Sequence, residues 1–458
     1  MRIVHSRVQH GVGQGSFHSA SLDVTEDSGQ RYRFDYVYDC GALKGFAASP
    51  ALKRGIDRMD LAERAGSGGR AVIDALVLSH FDRDHIIGAA LLAKRFLVKR
   101  IYVPFLSPPE LMLVIAGQAE ALNEAEIRSL QGLALGGQTL FGVPVTMITP
   151  GDGASDSGPD TDAGNQPPSP ADPDNLRRGP PTYLRATVGM TGRPPGSSLA
   201  STGNVQLDLG RHQAQPLWKL RFWNRGVSDD LLALLFEALV ACNFPLAALF
   251  EHSAIDEVLD WLEDKENRKT TLQAYRDAIA LYAPAWAGEV SGQKLANFLS
   301  LGLFSGPEGL TDDHRWFYDT VEAHDGFLSH HARPWRWYRR FPGEPGFDRL
   351  GWLGTGDAPL GETDVWTDFS LHYATELQTV VTVQVPHHGA APLHGPKFYN
   401  PGLHPRSGMN AVISVGKTNP YGHPKVAVLK EVMAVCGRLQ VVTEETCLGF
   451  HEVIVIKS

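Results

Sequence analysis

The chain has 458 residues, of which 43% are hydrophobic and 20% are charged, so it can bury a substantial core in one large domain or in several smaller ones. Its net charge of −9 argues against a general affinity for polyanions, so a nucleic-acid site would have to be a local patch or depend on metal ions. The four cysteines show no CxxC spacing, which argues against a disulfide framework and predicts a reducing compartment.

Strand patterns dominate the first part of the chain. The segments RIVHSRVQ, FHSASLDV and RYRFDYVYD are rich in β-branched or aromatic residues and are separated by turns. Residues 74–78 predict a fourth strand and residues 86–96 a helix, and KRIYVP and residues 143–150 predict two further strands. We expect residues 1–150 to form the first half of an α+β domain.

The composition changes in the middle of the chain. Residues 151–215 are rich in glycine, proline and aspartate, which predicts a flexible insertion. Residues 216–330 include DEVLDWLEDKENRKTTLQAYRDAIALY and predict a mostly helical insertion. Residues 331–458 return to strand patterns, such as TVVTVQV and HEVIVIK, and we expect them to complete the domain that residues 1–150 begin.

No segment of the sequence predicts a membrane span or an export signal. The most apolar stretch, residues 231–250, is interrupted by Glu237, Asn243 and Pro245, which favours two buried helices. The beginning of the chain, MRIVHSRVQHG, lacks the apolar region of a signal peptide. The expectation is a cytoplasmic protein that does not bind a membrane.

Four side chains of the types that bind metals follow the fourth predicted strand. In SHFDRDHIIGA (79–89) they are His80, Asp82, Asp84 and His85. Imidazole and carboxylate groups together suit zinc, manganese or iron, and the two His/Asp pairs could face two neighbouring ions. The competing interpretation is a solvated turn in which Asp84 caps the next helix, but it leaves two histidines unexplained.

Further ligand candidates end two later strands. Asp357 ends GWLGTGD, and His387 and His388 end TVVTVQVPHHG. A carboxylate such as Asp357 can bridge two ions, and one of the two histidines can complete the second site. Taken alone, Asp357 is better explained by a turn, and the histidine pair is equally compatible with a packed loop. The order of all three elements, each after a strand, favours a metal centre.

Six motifs together resemble those of the metallo-β-lactamase superfamily, and more narrowly those of the soluble relatives of the C-terminal domain of ComEC competence proteins. They are GVGQGSF (11–17), DCG (39–41), SHFDRDHIIGA (79–89), TGD (355–357), VPHHGA (385–390) and NPYGHP (419–424). The resemblance implies an α+β fold, a four-layer αββα sandwich with the flexible segment and the helical insertion between its halves. It also implies metal-dependent hydrolysis.

The resemblance implies a centre of two divalent ions, zinc or manganese. His80 and Asp82 would bind one ion, Asp84 and His85 would bind the other, and Asp357 would bridge them. A hydroxide between the ions would attack the substrate, and Asp84 would orient it.

The same resemblance extends to residues around the ions. His387 is the expected last ligand, although the choice between His387 and His388 stays open, and Asp39 would orient a ligand from behind. His388 or His423 would stabilise or protonate the departing oxygen. The residues expected at the mouth of the site, near an anionic oxygen of the substrate, are Lys417, Asn419 and His423.

The sequence departs from the family pattern in a ligand of the first metal site and, separately, in the glycine-rich motif. The usual mid-chain histidine ligand is not evident, because Thr149 and Pro150 occupy the corresponding strand end. Ser16 replaces the last aspartate of the VGQGD pattern. The first ion would therefore have fewer protein ligands and bind more weakly.

The substrate class rests on one segment, HHARPWRWYRRFPG (330–343). Arginines such as Arg336 can contact phosphates and aromatic rings such as Trp337 can stack on bases, which favours a nucleic acid or nucleotide substrate and a phosphodiesterase or nuclease. An amphipathic strand with inward aromatic residues explains the segment equally well. The alternatives are a hydrolase of small esters or lactones and a non-catalytic interaction protein that keeps metal for folding. A place in a bacterial defence module is an expectation by analogy alone, and the protein partners are unknown.

Overall fold

The computed structural model describes most of the chain. Residues 1–457 are described except for 30, 44–48, 65–70, 107–128, 131, 134–136, 149, 151–182, 187–199, 202–204, 213–214, 226–228, 250–254, 283–299, 309, 311–313, 325–326, 330–337, 340–348, 391–408, 437 and 447–448. The predicted substrate-binding residues Arg336 and Trp337 lie outside the described residues.

The described strands alternate with helices along the chain. The strands are β1 (Arg2–Gln9), β2 (Phe17–Thr25), β3 (Arg31–Cys40), β4 (Val72–Ile73), β5 (Ala75–Val77), β6 (Leu97–Val98), β7 (Ile101–Pro104), β8 (Thr139–Leu140), β9 (Val143–Ile148), β10 (Tyr183–Ala186), β11 (Ala200–Ser201), β12 (Val205–His212), β13 (Gln215–Trp223), β14 (Gly302–Pro307), β15 (Arg315–His324), β16 (Phe327–Ser329), β17 (Tyr338–Arg339), β18 (Gly351–Gly354), β19 (Val380–Gln384), β20 (Asn410–Ser414), β21 (Arg438–Val442) and β22 (Phe450–Lys457). The helices are α1 (Pro50–Arg64), α2 (Arg83–Ile86), α3 (Ala89–Arg95), α4 (Asp229–Ala241), α5 (Ile255–Glu263), α6 (Lys265–Tyr282), α7 (Thr363–His372) and α8 (Val426–Val435). Short 3-10 helices are Leu246–Leu249, Glu376–Gln378 and Pro386–Gly389.

Two large sheets contain most of these strands. Sheet 1 has the order β11-β9-β7-β5-β3-β2-β1-β22-β15-β16, with β8 beside β9 and β17 beside β15. Sheet 2 has the order β10-β12-β13-β14-β18-β19-β20-β21. Neighbours from β3 to β9 in sheet 1 and from β18 to β21 in sheet 2 run parallel. The carboxyl ends of each parallel set therefore meet at one sheet edge, where side chains on the following loops can converge.

The two sheets pack face to face, with helices on their outer sides. Tyr36 and Val77 of sheet 1 share a buried apolar cluster with Trp218 and Trp352 of sheet 2. A second cluster joins the other face of sheet 1 to α1, α3, α4 and α5, and a third joins the outer face of sheet 2 to α7 and α8. Both faces of each sheet are covered in this way, which removes their apolar side chains from water and stabilises the fold.

A buried ion pair on sheet 1 makes hydrogen bonds toward sheet 2. Arg7 of β1 donates through Nε to Oε2 of Glu452 on β22 at 2.7 Å, and through Nη1 to the carbonyl oxygen of Leu350 at 3.1 Å. The hydroxyl of Tyr318 donates to Oε1 of the same glutamate at 2.5 Å. Because each charge has several partners, the pair fixes the position of β1 and β22 against sheet 2.

The structure differs from the predicted insertions in the middle of the chain. The region predicted as mostly helical contains α4, α5 and α6, but it also contains β14, which pairs with β18, and β15, which pairs with β22. The region predicted as flexible contains β12, which pairs with β13. Sequence composition missed β14 and β15 because the partners β18 and β22 lie far away in the chain. It missed β12, which forms a hairpin with the adjacent β13, because the strand follows a long segment rich in glycine and proline. The division into four segments stays a prediction.

The apolar stretch 231–250 forms most of α4 and one 3-10 turn, and Leu231, Leu235 and Leu239 are buried against sheet 1 and its helices. In the described part of the chain, no helix combines the length and the hydrophobicity needed to cross a membrane.

Three buried histidines on or next to the first two strands make stability depend on pH. Nε2 of His10 lies 2.8 Å from Oγ of Ser19, and burial, together with the charges of His451 and Arg58, lowers the pKa of His10 to about 3. Burial also lowers the pKa of His5 and His18 well below 6.5. Below pH 6.5 these histidines bind protons in the unfolded chain but stay neutral in the folded protein, because their folded pKa values are lower. The free energy of unfolding should therefore fall as the pH falls from 6.5 toward 3.

We expect each such histidine to contribute a slope of about 1.4 kcal/mol per pH unit. Urea unfolding between about pH 6 and about pH 5 measures this slope, and His10→Gln should reduce it by one histidine's share. The titratable groups of the metal site are the same in the original protein and in His10→Gln, so their contribution to the slope cancels when the two slopes are compared. An unchanged slope in the variant would show that His10 does not carry a lowered pKa.

Candidate metal centre

The SHFDRDH loop begins where β5 ends and enters α2 directly. The backbone N–H of Leu78 donates to the carbonyl oxygen of Tyr102 at 2.9 Å, which ties the strand end to β7. Asp82, not Asp84, is the N-cap of α2, and its side chain makes no capping hydrogen bond. Asp84 lies in the first turn of the helix. The capping interpretation of Asp84 is therefore wrong.

The glycine-rich loop at 11–16 holds the metal-motif loop through its backbone. The N–H of Ser16 donates to the carbonyl oxygen of Asp84 at 2.9 Å, and the N–H of Gly41 donates to the carbonyl oxygen of Ser16 at 2.8 Å. A Cβ on Gly41 would lie 2.2 Å from the carbonyl carbon of Asp84. Glycine is required there because three backbone segments meet without room for a side chain.

Asp39 fixes the orientation of His85, as the sequence predicts. Its backbone is left-handed, with a φ of 58°, which is strained for a residue with a side chain. Oδ2 of Asp39 accepts from Nδ1 of His85 at 2.8 Å, and Oδ1 accepts from the N–H of Ser79 at 2.7 Å. Nδ1 of His85 carries the proton in this arrangement, so Nε2 presents its lone pair to the centre.

Ser300 is a site residue that the sequence does not reveal. Its Oγ accepts from the N–H of Asp357 at 3.1 Å and lies 3.4 Å from Nδ1 of His80. Oγ of Ser79 lies 3.0 Å from the same nitrogen. These hydroxyls place Nε2 of His80 toward Asp357, whose Oδ2 is 3.8 Å away. Ser300 directly precedes Leu301 and β14, and no metal-ligand side chain near it marks the position in the sequence.

The two histidines of the PHHG turn take different places. Both have left-handed backbone, with φ of 47° at His387 and 54° at His388. Nδ1 of His388 donates to the carbonyl oxygen of Ser414 at 2.7 Å, and its Nε2 lies 3.3 Å from Oδ2 of Asp84. Nε2 of His387 lies 3.6 Å from Oδ2 of Asp357, and this side chain is 19% exposed. His388 is therefore the buried member of the pair, and His387 faces the opening.

The structure brings the predicted ligands into two overlapping groups that could each hold a metal ion. The first comprises His80, His85 and Asp357, and the second comprises Asp84, His85 and His388. In each group the ligand atoms lie within 4.8 Å of one another. Within the described residues, neither group includes Asp82 or His387, although both were predicted as ligands. Their role as ligands stays a prediction.

Several inward-facing atoms of the groups fit a bound cation. Nε2 of His85 lies 3.3 Å from Oδ1 of Asp357, and Nε2 of His388 lies 3.3 Å from Oδ2 of Asp84. Among the described residues, both nitrogens and Oδ1 of Asp357 are buried without a well-formed hydrogen bond. Buried polar atoms without hydrogen bonds are costly, and their convergence is explained if a divalent ion takes their lone pairs. Imidazole and carboxylate donors suit zinc and manganese, so the donor set fits the expected ions.

Opposite charges hold the centre together. Burial disfavours ionisation of Asp357, but the imidazoles of His387 and His85 outweigh it and hold its pKa well below the usual range. Burial also opposes ionisation of Asp84, and His388 and His85 lower its pKa in the same way. Burial opposes protonation of His85, but Asp357 and Asp39 raise its pKa well above 6.5. Metal binding would displace these protons, so its affinity should rise with pH.

The predicted mouth residues occupy a loop after β20. Nδ2 of Asn419 donates to the carbonyl oxygens of Gly416 at 2.8 Å and His423 at 2.7 Å, so this amide shapes the loop. Nζ of Lys417 donates to Oε1 of Glu445 at 2.7 Å on the exposed surface. The ring of His423 lies 5.8 Å from the ring of His387. Of these three predicted mouth residues, the structure places His423 in ring contact with the PHHG turn, while the amide of Asn419 and the ammonium of Lys417 bond within the protein.

Comparisons with known proteins give little further information. No family model and no curated protein matches the chain. A solved structure of a long-form RNase Z from yeast is similar over 22% of this chain and 14% of its own, with 16% sequence identity and a TM-score of 0.17. A likeness of this extent does not establish a shared fold.

Proposed function

We propose that the chain is a metal-dependent hydrolase of the metallo-β-lactamase fold, related to the soluble relatives of the ComEC C-terminal domain, and that it cleaves phosphodiesters. One observation carries the proposal: loops that begin at Ser79, Thr355 and Val385 bring their imidazoles and carboxylates into two candidate ligand groups that share His85. The four-layer arrangement of two sheets and outer helices supports the fold assignment, because the site lies at the sheet edge where the parallel strands end.

The residues have separable roles in this proposal. His80 and Asp357 would help to hold one divalent ion, zinc or manganese, and Asp84 and His388 would help to hold a second. His85 belongs to both groups, but its Nδ1 donates to Asp39, so its Nε2 would bind only one of the two ions. When bound, such ions lower the pKa of water and neutralise charge on an ester oxygen. Asp39, Ser79 and Ser300 keep the imidazoles and Asp357 oriented from behind. Asp82 and His387 remain candidate ligands.

His423 is suited to contact the departing oxygen rather than to supply a proton to it. Burial, followed by the charges of His387 and His388, lowers the pKa of His423 to about 4. The imidazole is then neutral near neutral pH, and its Nδ1 is buried without a hydrogen-bond partner among the described residues. A neutral imidazole can donate one hydrogen bond to an oxygen that gains charge.

The two alternative functions predict different sites. A structural metal centre would be closed by protein ligands, but the partial exposure of His387 opens this one toward solvent, which favours catalysis. A hydrolase of small esters or lactones stays an alternative, because the same ligand set serves several ester chemistries. The expected cytoplasmic location, the nucleic-acid substrate and a place in a bacterial defence module are part of the proposal.

Hydrolysis assays of the full chain test this function. The purified protein, loaded with manganese or zinc, should cleave labelled single-stranded DNA, duplex DNA or RNA, and Asp84→Asn should lower the rate by on the order of a hundredfold or more. Phenyl acetate and a simple lactone serve as competing substrates. Cleavage of the esters alone would replace the phosphodiesterase proposal. The absence of any cleavage by metal-loaded protein would favour the non-catalytic alternative.

A further inference from the structure

An exposed tyrosine, Tyr421, lies next to His423 in the loop after β20. Tyr421 is 52% exposed, and its ring lies parallel to that of His423, with a centroid distance of 5.7 Å and an angle of 20° between the planes. His423 in turn contacts the ring of His387 at 5.8 Å. A row of three rings therefore leads from His387, whose Nε2 lies 3.6 Å from Oδ2 of Asp357, to solvent, and Tyr421 forms its outer end.

The loop that carries this row is held rigidly. Oδ1 of Asn419 accepts from the N–H of His423 at 3.0 Å, and Nζ of Lys425 donates to the carbonyl oxygen of Tyr421 at 2.9 Å. The N–H of Lys425 donates to the carbonyl oxygen of Gly389 at 3.0 Å, which joins the loop to the PHHG turn. The backbone that carries the tyrosine is thus tied to the PHHG turn before any substrate binds, and less ordering of this loop is needed on binding.

We propose that Tyr421 stacks on a nucleobase of the substrate, next to the phosphate that the metal centre receives. This inference rests on the proposed function and narrows its substrate class to nucleotides and nucleic acids. One face of the ring lies toward His423, and the exposed half of the side chain offers the other face. Aromatic rings on a rigid support stack on any base, so the contact adds affinity without sequence preference.

Stacking predicts a contact that depends on the base and not on the phosphate. Calorimetric titration of the full metal-loaded chain with thymidine monophosphate and with inorganic phosphate separates the two. Tyr421→Leu should weaken binding of thymidine monophosphate about tenfold, leave binding of inorganic phosphate within about twofold, and Tyr421→Phe should retain the affinity of the original protein. Tyr282→Leu, at another exposed tyrosine on α6, is the matched control and should change neither affinity.

The outcomes distinguish this inference from the proposed function. If phosphate binds and DNA is cleaved but Tyr421→Leu binds thymidine monophosphate as tightly as the original protein, the stacking inference fails alone. An equal loss of affinity for both ligands would also overturn it, because the tyrosine would then support the centre rather than a base. If the metal-loaded chain neither binds phosphate nor cleaves any phosphodiester, the proposed function fails and the inference fails with it.

Discussion

His388→Gln should weaken metal binding by more than about a hundredfold, because removal of a residue that only supports a ligand already costs roughly 10–100-fold. The buried imidazole belongs to the second ligand group, and its Nε2 faces Asp84. Its loss also leaves the carboxylate of Asp84 without its nearest imidazole in a buried site, which disfavours the charged form that binds metal. Metal content after dialysis and calorimetric titration with manganese measure the effect.

The neighbouring histidine provides a matched control. His387→Gln changes the same kind of side chain in the same turn, with the same left-handed backbone. Because His387 lies outside both ligand groups of the described residues, we expect its replacement to weaken metal binding less than about tenfold. Circular dichroism of both variants shows whether the fold is kept. The reverse order of the two effects would identify His387 as the ligand and contradict the assignment to His388.

Gly41→Ala should destabilise the protein by about 3 kcal/mol or more and disrupt the metal centre. A Cβ at this position would lie 2.2 Å from the carbonyl carbon of Asp84 and 2.3 Å from the backbone nitrogen of His85. Both atoms belong to backbone, so neither can rotate away, and the loop that carries two ligands must shift. The free energy of unfolding and the bound metal should therefore fall together.

Gly132→Ala is the control for this change, since a Cβ there has no heavy atom of the described residues within 4 Å. We expect the control to unfold within about 0.5 kcal/mol of the original protein. Urea unfolding with parallel metal analysis compares the two variants. Retention of full metal content and stability in Gly41→Ala would show that the 11–16 and 39–41 loops do not constrain the ligand loop.

Local pattern was sufficient to predict much of the centre. His80, Asp84, His85 and Asp357 each follow a buried strand, and parallel strands direct such positions to one edge. The resemblance also implied that Asp39 orients a ligand, and the structure places its carboxylate 2.8 Å from Nδ1 of His85. These residues were recognisable because their side-chain types are uncommon at strand ends and chemically specific.

The other features of the site follow from backbone conformation and strand pairing, which a sequence pattern does not show. His387 and His388 are adjacent and identical in chemistry, and only the backbone angles and the bond to Ser414 decide which is buried. Ser300 has an ordinary side chain, and its role follows from the pairing of β14 with β18 across a long segment of chain. The resemblance implied that Asn419 and Lys417 lie at the mouth of the site, and this stays a prediction. In the structure, the amide of Asn419 donates to the carbonyl oxygens of Gly416 and His423, and the ammonium of Lys417 donates to Glu445.

The position of β22 has a consequence for biosynthesis. This strand lies between β1 and β15, and residue 457 pairs with residue 2 on one side and residue 315 on the other. During synthesis, the edge of β1 therefore stays unpaired until residues 450–457 have left the ribosome. Nascent chains should expose this edge to chaperones or to aggregation throughout that interval.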